Sequence, residues 1–344
     1  RYISVTGVQT CALPIFERAA ALLRRVQDGC NAVLLGQEDL VDLCAIALCA
    51  RGHLLLEGLP GLGKTELVKA LSRLLGLSFR RVQFTPDLLP GDVTGGPILQ
   101  ERDGEKRFVF QPGPLFANLV LADEINRASP KTQSALLEAM QERSVTVLGE
   151  THALPQPFFV LATQNPIELE GTYPLPEAQL DRFLFKVTVP GVSADVMTRI
   201  LTERRRGQPP PSAPALSQAE LDELFRLVDA VFLPQAVANY AARLVAATHP
   251  EQDGALPEVR AAVRYGASPR AAIAIGEAAR AAALLAARPN VDFADVQRVA
   301  VPALAHRLVL QHGAVVGGAT APGLVRTLLE RVPAVAEPLP EAVR

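Results

Sequence analysis

His53-Leu54-Leu55-Leu56-Glu57 runs directly into Gly58-Leu59-Pro60-Gly61-Leu62-Gly63-Lys64-Thr65, and a stretch with apolar residues at Leu67, Val68, Leu71, Leu74 and Leu75 follows. The apolar run that ends at glycine has the composition of a buried parallel strand. The spacing from Thr65 to Leu75 predicts a helix with one apolar face, stopped at Gly76. Between them, Gly58 to Thr65 fits G-x-x-x-x-G-K-[ST], in the strand, glycine loop and helix setting that this pattern requires. Glycines let backbone N–H groups wrap phosphates, and the helix N-terminus adds a favourable dipole. Lys64 would reach the β and γ oxygens, and the Thr65 hydroxyl would ligate Mg²⁺. The expected ligand is therefore a nucleoside triphosphate with magnesium, cradled by Gly58, Leu59, Pro60, Gly61, Leu62, Gly63, Lys64, Thr65 and Glu66.

Further strands are expected at Phe79–Phe84, Leu119–Ala122, Phe158–Thr163 and Phe183–Val187, which gives an α/β parallel five-stranded sheet flanked by helices. A largely buried helix over Gln37–Ala50 precedes the first strand. The strand at Leu119 ends in Asp123-Glu124, at the edge where open α/β sheets bind ligands. Asp123 can hold the water shell of the metal, and Glu124 can polarise a water for attack on the γ-phosphate. Taken alone, two acids at a strand end are commonly just solvated; the upstream phosphate loop makes them candidates for hydrolysis.

Two segments interrupt the alternation. Pro97 to Phe110 carries Asp103-Gly104 between extended runs, a strong hairpin signal, and a second hairpin is expected over Ser144–Pro155, turning at Gly149-Glu150. Beyond Pro190 the character changes. Arg204-Arg205-Arg206-Gly207 leads into Pro209-Pro210-Pro211, and the following segments read helical, beginning with a capping box at Ser217 and Glu220. More helices are expected over Pro234–Thr248, Pro269–Ala287, Asp292–Leu310 and Pro322–Arg331. The expected organisation is a nucleotide-binding α/β domain over 16–190, a linker over 191–216 and an all-α lid domain over 217–344.

The 344 residues, 49% hydrophobic and 20% charged, are enough to bury a core without cross-links and exclude a disordered chain. No run of 18 uncharged apolar residues is available to span a bilayer. A net charge of −2 gives no global field to attract nucleic acid or anionic lipid. Of the 34 basic residues, five are lysine and 29 arginine, which with abundant alanine reads as genome base composition. The cysteines (Cys11, Cys30, Cys44 and Cys49) form no CxxC pair, so a reduced, cytoplasmic chain is expected. Val5 to Ile15 reads VTGVQTCALPI, the peptide encoded by one frame of a common short-read sequencing adapter. Residues 1–15 are accordingly expected to be an artefact, with the natural N-terminus missing.

The run Asp123-Glu124-Ile125-Asn126-Arg127-Ala128-Ser129-Pro130-Lys131-Thr132-Gln133-Ser134 and its continuation to Glu142 resembles the signature of the MoxR family of AAA+ ATPases, in the helix-2-insert clade. The resemblance extends through Ala162-Thr163-Gln164-Asn165-Pro166, the segment Tyr173 to Phe183, and Gly266-Ala267-Ser268-Pro269-Arg270, and covers about Phe16 to Leu329. It implies that Asn165 is sensor 1, which holds the attacking water. By the same token Arg182 is the finger that a neighbouring subunit directs at the γ-phosphate. Arg270 is sensor 2, in the first turn of a lid helix capped at Ser268. Gly36 and Gln37 form the adenine-side loop, and Arg127 is a further interface candidate. The simpler readings are an Asn-Pro turn at Asn165 and an ion pair from Arg182 to Asp181 or Glu177.

The family further implies ATP and Mg²⁺ as ligands, a homo-hexameric ring, and protein clients that often carry von Willebrand A domains. The two hairpins match the clade's pore-directed inserts. Their tips, Gln100 to Arg107 with mixed charge and Gly149-Glu150-Thr151 with an acid, lack the basic surplus a phosphate backbone would need, so nucleic acid is not expected as a partner. A magnesium-chelatase-like motor subunit, a nucleotide switch of low turnover and a nucleic-acid translocase stay open as alternatives.

Overall fold

A computed structural model describes residues 6–58, 61, 63–102, 105–166, 171–204, 209–210 and 213–335. Leu59, Pro60, Leu62, Asp103, Gly104, Arg205, Arg206, Gly207 and Pro211, named above, lie outside the described residues. The chain divides into two compact units. One holds 25–183 with 187–221; the other holds 1–24, 184–186 and 222–344.

The first unit holds the sheet apart from Phe185 and Lys186 of an edge strand, and takes the first helix from residue 25 onward. Helix α1 (Thr6–Val33) leads into α2 (Glu38–Cys49), then β1 (Leu54–Glu57), α3 (Lys64–Leu75) and β2 (Phe79–Gln83). After α4 (Pro90–Thr94) comes the hairpin of β3 (Gly95–Arg102) and β4 (Glu105–Pro112), then β5 (Leu119–Asp123) and α5 (Pro130–Glu142). A second hairpin, β6 (Ser144–Val147) and β7 (Glu150–Ala153), precedes β8 (Phe159–Gln164), α6 (Glu177–Leu180), β9 (Phe185–Thr188) and α7 (Ala194–Glu203). The sheet order is β2-β5-β8-β1-β9, with β2–β5, β5–β8 and β1–β8 all paired parallel.

Leu54, Leu55 and Leu56 of β1, Leu119 to Ala122 of β5 and Val160 to Ala162 of β8 are all buried, which is why these central strands read as continuous apolar runs rather than alternations. Because β1, β5 and β8 run side by side in one direction, their C-terminal ends converge, and the loops that leave them form a single rim.

Helix α1 runs from Thr6 without a break at Phe16, so the backbone of 6–15 is helical. Two expectations need correction. The stretch 191–216 is not all linker, because α7 occupies Ala194–Glu203; Ser193 caps it by accepting the Val196 amide. The second hairpin turns at Leu148-Gly149, one residue earlier than expected, with φ of 53° and 84°. Two successive positive φ angles define the type I′ turn that matches strand twist; Gly149 adopts its angle freely, and Leu148 is carried along by the register Val147↔Glu150.

The second unit is helical: α8 (Gln218–Ala230), α9 (Gln235–Ala246), α10 (Pro257–Ala262), α11 (Pro269–Leu285), α12 (Phe293–Leu304), α13 (His312–Val316) and α14 (Ala321–Arg331). The helical lid is as expected, with one addition: a small antiparallel pair, β10 (Val263–Tyr265) with β11 (Val309–Leu310). Helix α12 stops at Leu304, short of the Leu310 expected from the apolar pattern; a 3-10 turn over Ala305–Arg307 follows, and Val309–Leu310 enter that strand. The capping box forms as read: the Ser217 amide donates to Glu220 Oε2 at 2.8 Å, and the Glu220 amide to Ser217 Oγ at 3.3 Å.

Candidate active site

The loop between β1 and α3 narrows around two left-handed glycines, Gly61 (φ 84°) and Gly63 (φ 79°), conformations that only glycine adopts without strain. A cavity of about 370 Å³ opens there, lined by the described loop residues Gly58, Gly61, Gly63, Lys64, Thr65 and Glu66. Its opposite wall comes from the neighbouring strand ends: Asp123, Glu124, Thr163 and Asn165. The sequence-predicted loop, both carboxylates and Asn165 therefore meet in one cavity. Arg81 and Gln83 of β2 also line it, and these two were not predicted. The pairing of β2 with β5 brings them there: Gln83 lies opposite Asp123, which places the end of β2 beside the acids.

Lys64 Nζ donates to the Gly58 carbonyl at 2.6 Å, closing the loop on itself. Burial pushes the Lys64 ammonium down from its ordinary range, while the Asp123 and Glu124 charges push it back up. The Gly58 amide donates to the Gln164 carbonyl at 3.2 Å, tying the loop entrance to the end of β8.

Asp123 and Glu124, adjacent in sequence, diverge in space because Glu124 is left-handed, with φ 55° and ψ 50°. A non-glycine residue there costs on the order of 1 to 3 kcal/mol, a strain that clusters at functional sites. Asp123 Oδ1 accepts from the Thr163 hydroxyl at 2.6 Å, and the Glu124 amide donates to that same hydroxyl oxygen at 2.9 Å. Thr163 thus holds both acids in register. Glu124 Oε2 accepts from Gln83 Nε2 at 2.7 Å and from Arg127 at 3.1 Å. Arg127, an interface candidate from the sequence, is here a partner of the Glu124 carboxylate. Behind these acids, Gln133 of α5 donates to the carbonyls of Ile125, Ala128 and Tyr173 at 2.9 to 3.2 Å, clamping the loop that follows β5.

Thr65 and Asp123 supply hard oxygen donors to the same cavity from its facing sides. That set suits magnesium, which takes one or two protein ligands, keeps several waters and shares substrate phosphates.

Next to the loop, a second cavity of about 250 Å³ is lined by Val33, Leu34, Gln37 and Gly63 together with Val192 and Ile200. Gln37 is 6% exposed, and its Oε1 has no partner among the described residues. Gly36 turns the chain ahead of it at φ 71°, and a Cβ there would lie 2.5 Å from the Val196 side chain. The residues supplied by α7 were missed because the segment was read as linker.

Arg182 stands apart. It lines a different cavity of about 370 Å³, with Ser134, Leu137, Glu138 and Gln179, and donates to the Leu137 carbonyl at 2.8 Å. That carbonyl is an anchor the sequence does not point to. Arg270 lies in the lid unit, exposed in the first turn of α11 behind Pro269. Ser268 occupies the N-cap position without bonding through its side chain to the helix amides. The loop before it is held instead by the Ala267 amide on Thr248 Oγ1 at 2.9 Å and by the contact of His249 Nε2 with the Ala267 carbonyl at 3.0 Å. Gly266 is required there, since a Cβ would meet the His249 ring at 2.7 Å.

Comparison with known proteins agrees with this geometry. The model of the ATPase family associated with various cellular activities (AAA) matches residues 53–185, and that of the AAA lid domain matches residues 257–322. The chain is 47% identical over 283 residues to chaperone MoxR1 of Mycobacterium tuberculosis, covering 82% of this chain and 74% of that one. It belongs to the MoxR family of AAA+ ATPases. The uncharacterized protein YeaC of Bacillus subtilis is 45% identical over 314 residues, covering 90% of this MoxR-family chain and 94% of YeaC. A solved structure from Cytophaga hutchinsonii superposes with a TM-score of 0.85 at 37% identity, covering 96% of this chain and 99% of that chain. The chain is thus an AAA+ ATPase of MoxR type with a helical lid. Among the described residues no helix is long and apolar enough to cross a membrane.

Proposed function

We propose that the chain is a ring-forming, Mg²⁺-dependent ATPase that remodels or assembles partner proteins. The observation that carries the reading is the meeting of Lys64, Thr65, Asp123, Glu124 and Asn165 in one cavity beside left-handed glycines. In this reading the loop amides and Lys64 hold the β- and γ-phosphates, and Thr65 with Asp123 holds the metal, whose contribution is neutralisation of phosphate charge. Glu124 accepts the proton of the attacking water, and Asn165 orients that water. Gln37, whose carbonyl oxygen has no partner among the described residues, accepts from the exocyclic amine of adenine in the second cavity. Arg182 acts on the nucleotide of a neighbouring subunit, and Arg270 follows the γ-phosphate from the lid.

Protein clients are favoured over nucleic acid by what the hairpins present. Leu99 and Phe108 sit opposite each other on β3 and β4, 56% and 69% exposed, and Leu148 at the other tip is 73% exposed. The hairpins are braced by Phe110, which stacks on His152 with ring centroids 4.0 Å apart and packs edge-on against Phe116. Apolar side chains on a rigid ribbon suit an unfolded or extended peptide; counterion release from nucleic acid requires cations.

The test is phosphate release by the full chain across protein concentration, in Mg²⁺ and in EDTA, with and without single- and double-stranded DNA at low salt. The expected result is metal-dependent turnover whose specific rate rises with concentration and ignores DNA. Steeply salt-dependent DNA binding that stimulates turnover would replace the reading with a translocase, and nucleotide binding without turnover would replace it with a switch.

A further inference from the structure

Arg81 extends from β2 across the metal-facing carboxylate. Its Nη2 donates to Asp123 Oδ2 at 2.6 Å, and its Nε donates to the same oxygen at 3.2 Å. The other oxygen, Oδ1, accepts from Thr163. An ionised carboxylate oxygen has two lone-pair sites, so the two N–H groups of Arg81 fill those of Oδ2. An ordinary surface ion pair would deserve no weight. This one differs in its placement: Arg81 lines the phosphate cavity, and its partner is 18% exposed, with both oxygens engaged.

We propose that Arg81 is a built-in counter-ion that competes with the divalent metal for Asp123, and so sets how much metal the site needs. This rests on the reading that Asp123 faces the metal. Arg81 must release Oδ2 before that oxygen can accept from a metal's water shell, and its guanidinium charge otherwise repels a divalent cation at the same place. A resting place for the released side chain is already present, because Nη2 also donates to Gln83 Oε1 at 2.9 Å. Arg81 is therefore a positioning residue for the metal site.

The experiment titrates Mn²⁺ into the full chain with ADP, reading free Mn²⁺ by electron paramagnetic resonance. It compares wild type, Arg81→Gln, Arg81→Lys and Asp123→Asn, and ADP affinity in EDTA is measured alongside by calorimetry. Arg81→Gln should tighten Mn²⁺ binding about three- to ten-fold, the range expected from losing one partly exposed, charge-assisted pair. Arg81→Lys, which keeps the charge but loses the fork, should fall between it and wild type. ADP affinity in EDTA should move less than Mn²⁺ affinity does. Unchanged or weaker Mn²⁺ binding in Arg81→Gln overturns the proposal, as does a loss of ADP affinity in EDTA larger than the gain in Mn²⁺ affinity, which would make Arg81 a phosphate ligand. If Asp123→Asn binds Mn²⁺ like wild type, the metal reading of Asp123 itself is wrong. If Asp123→Asn loses Mn²⁺ and Arg81→Gln gains nothing, only the counter-ion proposal fails. Should Arg81→Gln melt well below wild type, Arg81→Lys decides the question alone, by tighter binding or its absence.

Discussion

Two cavities of the sheet unit have the same volume, about 370 Å³ each, and opposite internal economies. In the first, Arg81, Gln83, Asp123, Glu124 and Thr163 form one hydrogen-bonded network, and Lys64 is held beside it by the Gly58 carbonyl. In the second, Arg182 Nε and Gln179 Oε1 are buried without a partner among the described residues, although Arg182 is anchored to the Leu137 carbonyl. Leaving a buried polar atom unpaired costs about 1 to 3 kcal/mol, so a self-sufficient surface is not expected to keep two in one place. In the proposed reading the phosphate cavity binds nucleotide within one chain, and the unpaired atoms around Arg182 are left for a neighbouring subunit.

The sharpest way to break this contrast is Arg182→Ala. If the arginine neutralises transition-state charge across a boundary, ATPase activity should fall about 10³- to 10⁵-fold with nucleotide affinity near wild type. Mixing inactive Arg182→Ala with inactive Lys64→Ala subunits should restore part of the activity, because some interfaces join an intact loop to an intact arginine. A co-assembled mixture that stays inactive, or a specific rate unchanged on dilution to monomer, would return Arg182 to a structural role.

Next in size is the first cavity. Glu124→Gln should lower turnover about 10²- to 10⁴-fold while ATP stays bound, because only proton acceptance is removed. Lys64→Ala should instead lose nucleotide affinity, as a direct phosphate contact goes. Calorimetry and single-turnover hydrolysis separate the two; a Glu124→Gln protein that turns over like wild type assigns the proton to another group.

What was legible follows the locality of the signal. The phosphate loop, Asp123-Glu124 and Asn165 sit at ends of strands whose apolar runs mark the central sheet, so position along the chain already fixed position on the rim. Arg81 and Gln83 were not legible, because Val82 alone in β2 is buried and the strand's importance arises from pairing with β5, a contact about 40 residues away in sequence. Helix α7 was hidden by the arginine and proline run after it, and its Ile200 wall with it. The turn at Leu148 was misplaced by one residue because glycine normally marks the strained position, and here the register forces leucine into the left-handed region too. In the lid, the apolar pattern after Leu304 suits a buried strand as well as a helix, and only its pairing with β10 decides.

The smallest expected effect probes what joins the two cavities. His53, buried behind the sheet, accepts the Val160 amide of β8 on Nδ1 at 3.0 Å and contacts the Met140 carbonyl of α5 through Nε2 at 3.2 Å. Strand β8 carries Thr163 of the first cavity; α5 carries Leu137 and Glu138 of the second. The two contacts fit the neutral ring with its proton on Nε2, so protonating Nδ1 would break the Val160 bond. Burial pushes the His53 imidazole down from 6.5 to about 4, outweighing the Met140 contact that favours the charged form. With the folded value depressed, the unfolded chain binds the extra proton first. The stabilisation is therefore fully present above pH 6.5 and is lost as pH falls toward 4. The loss should reach about 3 kcal/mol by the lower end of that window. Carboxylates titrate in the same range, so the readout is a difference between proteins: urea unfolding of wild type and His53→Phe, followed from about pH 7.5 down to pH 4. His53→Phe should be less stable at the upper end, having lost two hydrogen bonds, yet its stability should decline more shallowly on acidification. Parallel declines in the two proteins would mean that His53 is not the acid-sensitive strut between the walls, and that the two cavities are coupled, if at all, through other contacts.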